Sequence, residues 1–136
     1  MPGTAELEAC FAIRMAVFVA EQGVPAAEEL DELDATALHV LALWSGQPAG
    51  TARALEKAQG LWKICRVAVQ APFRKFGIGQ ALMQGIETKC PGGAFMLDAQ
   101  THAIGFYERL GYVAEGPEFM DAGIPHRLMR KAASTP

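Results

Sequence analysis

No apolar run in this chain approaches the roughly 20 residues of a membrane-spanning helix, although 51% of its residues are hydrophobic. No basic stretch leads into an apolar segment at the N-terminus, so no secretory signal is visible and no membrane partner is expected. Cysteine is scarce and odd in number. Cys10, Cys65 and Cys90 lack metal-type spacing, so free thiols in a reducing cytoplasm are the expectation, with no metal. An excess of positive charge is missing as well. The net charge of −3 gives no reason to expect nucleic acid as a partner. Internal repeats and low-complexity tracts are absent. A chain of 136 residues can bury roughly two thirds of its unfolded surface, enough for one core, and residues 1–136 are read as a single domain.

Charge is informative by position. The first 52 residues hold eight Asp and Glu against Arg14 alone, and the remaining 84 hold seven acids and eleven bases. An acidic front and a basic rear suit a cation at one mouth and an anion at the other. Glu28, Glu29, Asp31, Glu32 and Asp34 either border such an entrance or form a solvated loop. Arg14 falls on the apolar side of the first helix, where a guanidinium needs a carboxylate partner or a bound anion. A structural pair is the favoured reading.

Periodicity places a helix ending at about Val19 and a short one near Ala26 to Leu33. Strands follow at about Ala37–Trp44, Gly50–Glu56 and Trp62–Val69, with turns at Gln47-Pro48 and Gln59-Gly60. A helix over Gly77–Lys89 repeats Ile78, Leu82 and Ile86 every four residues and stops at Cys90-Pro91-Gly92-Gly93. A strand at Ala94–Gln100, a helix at Ala103–Leu110, and strands near Tyr112–Glu115 and Arg127–Lys131 finish the chain. The fold class is α/β of the mixed α+β kind.

The segment richest in chemistry is Arg74-Lys75-Phe76-Gly77-Ile78-Gly79. It sits between a strand ending in Val67-Ala68-Val69 and a helix start. That arrangement aims unpaired backbone N–H groups and the helix dipole at one spot, and glycine lets an anion approach. A pyrophosphate is the natural guest. The phosphate loop of nucleotide hydrolases needs a Lys-Ser or Lys-Thr that is absent here. The dinucleotide fingerprint needs a third glycine where Leu82 stands. Downstream, Ala103, Phe106, Tyr107 and Leu110 form a helical stripe, so Tyr107 taken alone reads as core.

Arg74–Gly79 as R-x-x-G-x-G after a strand resembles the acetyl-coenzyme A signature of the GNAT family of N-acetyltransferases. Ala103-Ile104-Gly105-Phe106-Tyr107, running on to Gly111-Tyr112, resembles that family's A-x-x-F-Y-x-x-x-G-[FY] segment. Arg14 through Pro25 resembles the R-x-x-V-F-V-x-E-Q-x-V-P segment of its small ElaA/YjcF-like subgroup, and Phe119 through Met129 resembles that subgroup's final segment. Many relatives carry a strand before the first helix. Only Met1 to Thr4 precede it here, so that strand is expected to be short or missing.

The resemblance implies a central mixed, mostly antiparallel twisted sheet flanked by helices. It implies direct acetyl transfer from acetyl-coenzyme A, as co-substrate, to a primary amine on a small molecule or a protein, in a monomer or homodimer. Val67, Ala68, Val69, Arg74, Lys75, Phe76, Gly77, Ile78, Gly79 and Phe106 are the expected cofactor contacts, with an oxyanion donor among the backbone N–H groups of Val67 to Val69. Tyr107 is the expected general acid for the leaving thiolate. Candidates for the general base are Glu21, Asp34, His39, Asp98, His102 and His126, with Glu21 ranked first. No covalent intermediate is required, so Cys65 reads as a small strand residue. A non-catalytic acyl-coenzyme A sensor is the alternative.

Overall fold

The computed structural model describes residues 4–24, 34 and 36–133. They build a six-stranded sheet in the order β1-β2-β3-β4-β6-β5. The strands are β1 (Leu38–Trp44), β2 (Gln47–Ala58), β3 (Leu61–Val69), β4 (Ala94–Gln100), β5 (Val113–Asp121) and β6 (Ile124–Lys131). Helix α1 (Thr4–Arg14) precedes the sheet, α2 (Ile78–Lys89) joins β3 to β4, and α3 (Ile104–Arg109) joins β4 to β5. Only β3 and β4 run parallel, because α2 carries the chain back along the sheet; the other neighbours are antiparallel. This is the mixed, mostly antiparallel sheet that was expected. The short or missing strand ahead of α1 would fall on residues 1–3, and the short helix near Ala26 to Leu33 falls in the segment before Asp34; both lie outside the described residues. Among the described residues, no helix is long and apolar enough to cross a membrane.

Period-2 alternation decides what each face of the sheet buries. On β4, Phe95, Leu97 and Ala99 are buried and the residues between them are half-buried. The buried set packs with Ile64 and Met129 under Ile78, Leu82, Met83 and Ile86 of α2, and beside Tyr107 and Tyr112. The four-residue repeat read from α2 is therefore the stripe that meets the sheet.

The opposite face lies under α1 and is partly polar. Ile13, Val17 and Ala68 form a small apolar cluster there. Beside it the Arg14 guanidinium donates to both carboxylate oxygens of Asp34, at 2.7 and 3.2 Å, and Arg53 donates to one of the same oxygens at 2.9 Å. His39 donates through Nε2 to the Asp34 carbonyl at 2.9 Å. Arg14 is thus the structural pair expected of a guanidinium on the apolar side of a helix, and its partner comes from the acidic run.

Three local departures from the sequence reading have physical causes. The helix does not stop at Val19 but widens into a π-helix over Met15–Glu21. Gln22 N–H reaches back to the Val17 carbonyl at 3.2 Å. The first hairpin turns at Ser45-Gly46, both with positive φ, rather than at Gln47-Pro48. Pro48 is accommodated in β2 at an irregularity in the β1–β2 register. β5 continues past Gly116-Pro117 because a bulge between Glu115 and Phe119 absorbs them.

Asp34 is buried and pairs with two guanidinium groups, so removing its charge takes a shared carboxylate from both in a dry site. Asp34→Asn should lower stability by about 3–5 kcal/mol, the range for breaking one side of a buried ion pair. Urea or thermal unfolding reads this directly, and a loss below about 1 kcal/mol would show that the arginines do not depend on the Asp34 charge.

Candidate active site

The site begins with an extra residue in β3. From Cys65 to Ala68 is three steps on β3, and the paired stretch from Arg53 to Thr51 is two steps on β2. Arg66 takes up the excess with a φ of 56°. A bulge bends and twists its strand, and here β3 leaves β4. The parallel pairing runs only from Leu61↔Ala94 to Ile64↔Leu97. Beyond Ile64 the two strands part around a cavity of about 790 Å³.

One end of the cavity is the N-terminus of α2. Ala81 N–H closes the first helical hydrogen bond on the Gly77 carbonyl at 3.1 Å. The N–H groups of Ile78, Gly79 and Gln80 precede it and have no partner within the helix, and all three residues line the cavity. Gly77 caps the helix with φ 77°, and a Cβ there would meet open space. Lys75 shares the left-handed conformation, with φ 77°, uncommon for a residue other than glycine. Gly79 also packs closely against α3. A Cβ on it would come within 3.1 Å of the Phe106 ring, so its smallness brings α3 close to α2. Arg74 donates through Nε to the Val69 carbonyl at 2.9 Å, and its guanidinium pairs with Glu21 at 3.0 Å.

The two faces of the sheet meet the cavity with different chemistry. On the α2/α3 side stand Ile64, Leu97, Phe106 and Tyr107. The Tyr107 ring packs edge-on to Phe106 and Tyr112. Burial pushes its phenol up to about 12, so it is a neutral proton carrier at ordinary pH. No described residue hydrogen-bonds its hydroxyl, in contrast to Tyr112, whose hydroxyl donates to Glu87 at 2.9 Å. On the α1 side the wall is polar. Lys63 and Asp98 pair at 3.2 Å, and Cys65 accepts a long contact from Arg53 Nε at 3.3 Å. Gln100 exchanges hydrogen bonds with Gln22 at 2.9 and 3.3 Å, which ties β4 to the π-helical end of α1. His102 and His126 complete this wall.

The geometry gathers most of the residues singled out from the sequence. Glu21, Val67, Ala68, Val69, Arg74, Lys75, Gly77, Ile78, Gly79, Phe106 and Tyr107 all line one cavity. Phe76 does not; it is 51% exposed and stacks on Trp44 at 4.7 Å. Among the candidate bases, Asp34 and His39 belong to the buried cluster under α1, and Glu21, Asp98, His102 and His126 reach the cavity. Glu28, Glu29, Asp31 and Glu32 lie outside the described residues. Gln22, Lys63, Gln100 and Asp121 line the cavity without having been singled out. For Gln100 a signal exists: Asp98 and Gln100 are polar on a strand whose alternate positions are apolar.

The comparisons agree with this geometry. Residues 6–133 match the acetyltransferase (GNAT) domain family. The uncharacterized N-acetyltransferase YjcF of Bacillus subtilis is 42% identical over 130 residues, covering 93% of this chain and 92% of its own length. An acyl-CoA N-acyltransferase of Pseudomonas aeruginosa, solved by crystallography, superposes with a TM-score of 0.83 at 33% identity, over 96% of this chain and 93% of that one. The crystal structure of Escherichia coli ElaA gives a TM-score of 0.83 at 28% identity, over 96% and 92%. A helix N-terminus facing a split between two parallel strands, in a chain this similar along nearly its whole length, belongs to the GNAT acetyltransferase family, in the subgroup that includes YjcF and ElaA.

Proposed function

We propose that this cavity moves an acetyl group from acetyl-coenzyme A to a primary amine by direct attack, within one domain spanning residues 1–136. The observation that carries the reading is the run of free N–H groups at the start of α2, opening on the gap between β3 and β4. The pyrophosphate fits at Ile78, Gly79 and Gln80, where backbone donors and the helix dipole favour an anion. Arg74 and Lys75 add charge there. The acyl arm then lies along the edge of β3 that β4 has vacated. The backbone N–H groups among Val67, Ala68 and Val69 are placed to meet the developing oxyanion.

Tyr107 is the proposed general acid. Its phenol is neutral because burial opposes the phenolate, and its hydroxyl is not committed to another residue. The donor form therefore persists through neutral and mildly alkaline pH, and activity that depends on it falls only as pH rises towards that value. The acceptor enters from the α1 side, where Glu21, Asp98 and Asp121 line the wall and favour a cationic amine. Glu21 contributes field there while paired with Arg74. A small-molecule or a protein amine is compatible with this wall.

Thiol release from acetyl-coenzyme A, measured across polyamine, aminoglycoside and peptide amines, tests the reading. Turnover with an amine supports it. Tight cofactor binding with no turnover on any amine would support a sensor instead.

Two variants probe the cofactor end. Gly79→Val should weaken coenzyme A binding by more than tenfold in a calorimetric titration, since the new side chain displaces Phe106 and crowds the anion site. Arg74→Ala should cost only about 1 kcal/mol, because the guanidinium is 44% exposed and shared with Glu21. Unchanged affinity in both would remove the phosphate site from α2.

Tyr107→Phe keeps the ring and its packing and deletes only the hydroxyl. With any acceptor that turns over, kcat should fall by about 10²–10⁴-fold while cofactor affinity stays near that of the parent. Full kcat with normal stability would make Tyr107 a core aromatic and pass the acid role to water.

A further inference from the structure

We propose that His126 is the general base of this reaction, taking through Nε2 the proton that the acceptor ammonium must lose; the inference rests on the acetyl-transfer reading above. His126 is 8% exposed and lines the cavity. In the β4–β6 ladder it stands directly opposite Gln100, and in the β5–β6 ladder opposite Phe119. Residues paired in this way share a face. His126 therefore lies on the α1 side with Gln100 and Asp98, across the sheet from Tyr107. Acid and base then flank the gap between β3 and β4 from opposite faces.

The ring is held in one orientation and one tautomer. Nδ1 lies 2.6 Å from the Ile124 carbonyl. A carbonyl cannot donate, so Nδ1 carries the hydrogen and the neutral ring keeps its lone pair on Nε2. Phe119 stacks on the ring at 5.8 Å and 21°. Nε2 has no hydrogen-bond partner among the described residues, and it is not sealed from solvent; His39 Nδ1 is the buried side-chain atom left without a partner there.

The other groups bordering this space are committed or differently placed. Glu21 is paired with Arg74 and Asp98 with Lys63. His102 is exposed and bound through Nε2 to Gln100 at 2.7 Å. Asp121, at the end of β5, is exposed and suits attraction of a cation more than proton abstraction at the reacting nitrogen.

A proton passes from the ammonium to Nε2, giving an imidazolium that still donates through Nδ1 to Ile124. The freed lone pair forms the C–N bond to the thioester carbonyl. The C–S bond breaks, its electron pair stays on sulfur, and sulfur takes the Tyr107 proton. The second nitrogen proton leaves as the amide forms and matches, through solvent, the one Tyr107 recovers. His126 returns its proton to water, so one proton is released per turnover.

The test uses the full chain, with the best acceptor from a panel of spermidine, an aminoglycoside and a peptide α-amine. His126→Ala should lower kcat/KM by about 10²–10⁴-fold at neutral pH, with coenzyme A affinity changed less than about twofold. It should abolish the acidic limb of the rate profile, and added imidazole should restore part of the rate. His126→Gln, which keeps more of the packing on Phe119, should show the same loss without imidazole rescue. Nitrogen chemical shifts of the parent protein should report a protonated Nδ1 and a bare Nε2. A neutral ring that carries its hydrogen on Nε2, or both variants within about threefold of an active parent with the acidic limb intact, overturns the role of His126 and leaves acetyl transfer standing. A parent that binds coenzyme A yet acetylates none of the amines overturns both readings.

Discussion

The single extra residue at Arg66 is the constraint on which the site depends. Without the bulge, β3 would stay paired with β4 to its end. The edge that carries Val67, Ala68 and Val69 would be used up in the ladder. With it, the pairing stops at Ile64 and the following backbone faces a cavity. The strain of a left-handed Arg66 is stored where the chemistry is proposed, as backbone outliers tend to be. The parting of β3 and β4 also sets where α2 begins, because the Arg74–Gly77 turn must bring the chain from the diverging strand to the helix start.

The polar cluster under α1 supports the same opening from the other face. Arg14, Asp34 and Arg53 fix α1 against β2, and the π-helical widening that follows carries Glu21 and Gln22 to the cavity. Gln22 then ties to Gln100 across the gap. An all-apolar interface could hold α1 as strongly. A guanidinium–carboxylate arrangement fixes its register through directional bonds. Arg53 connects this cluster to the cavity wall through its contact with Cys65.

Much of the fold was legible because the signals were periodic. The α2 stripe and the alternating apolar positions of β4 each follow from one geometric rule. The start of α2 was legible because Gly77 and Gly79 stand close together after a strand. What escaped the reading depends on tertiary context. Ser45-Gly46 outcompetes the Pro-containing pair beside it because both its residues accept positive φ. Gly79 reads as an anion-site glycine, and only the packing of α3 reveals the Phe106 ring beside it. Phe76 lies inside the motif in sequence and outside the cavity in space, drawn to Trp44 on β1. The sequence ranks Glu21 first among the candidate bases; that it pairs with Arg74, and that His126 Nδ1 meets the Ile124 carbonyl, depends on tertiary context.

The position of the sulfur in a crystal structure of the coenzyme A complex tests this account most directly. The account predicts the pyrophosphate at the backbone of Ile78 to Gln80 and the pantetheine arm along the free edge of β3. The sulfur should lie in the gap between β3 and β4, within hydrogen-bond reach of the Tyr107 hydroxyl. A sulfur lying outside that gap, with the β3 edge unoccupied and Tyr107 remote from it, would contradict the account.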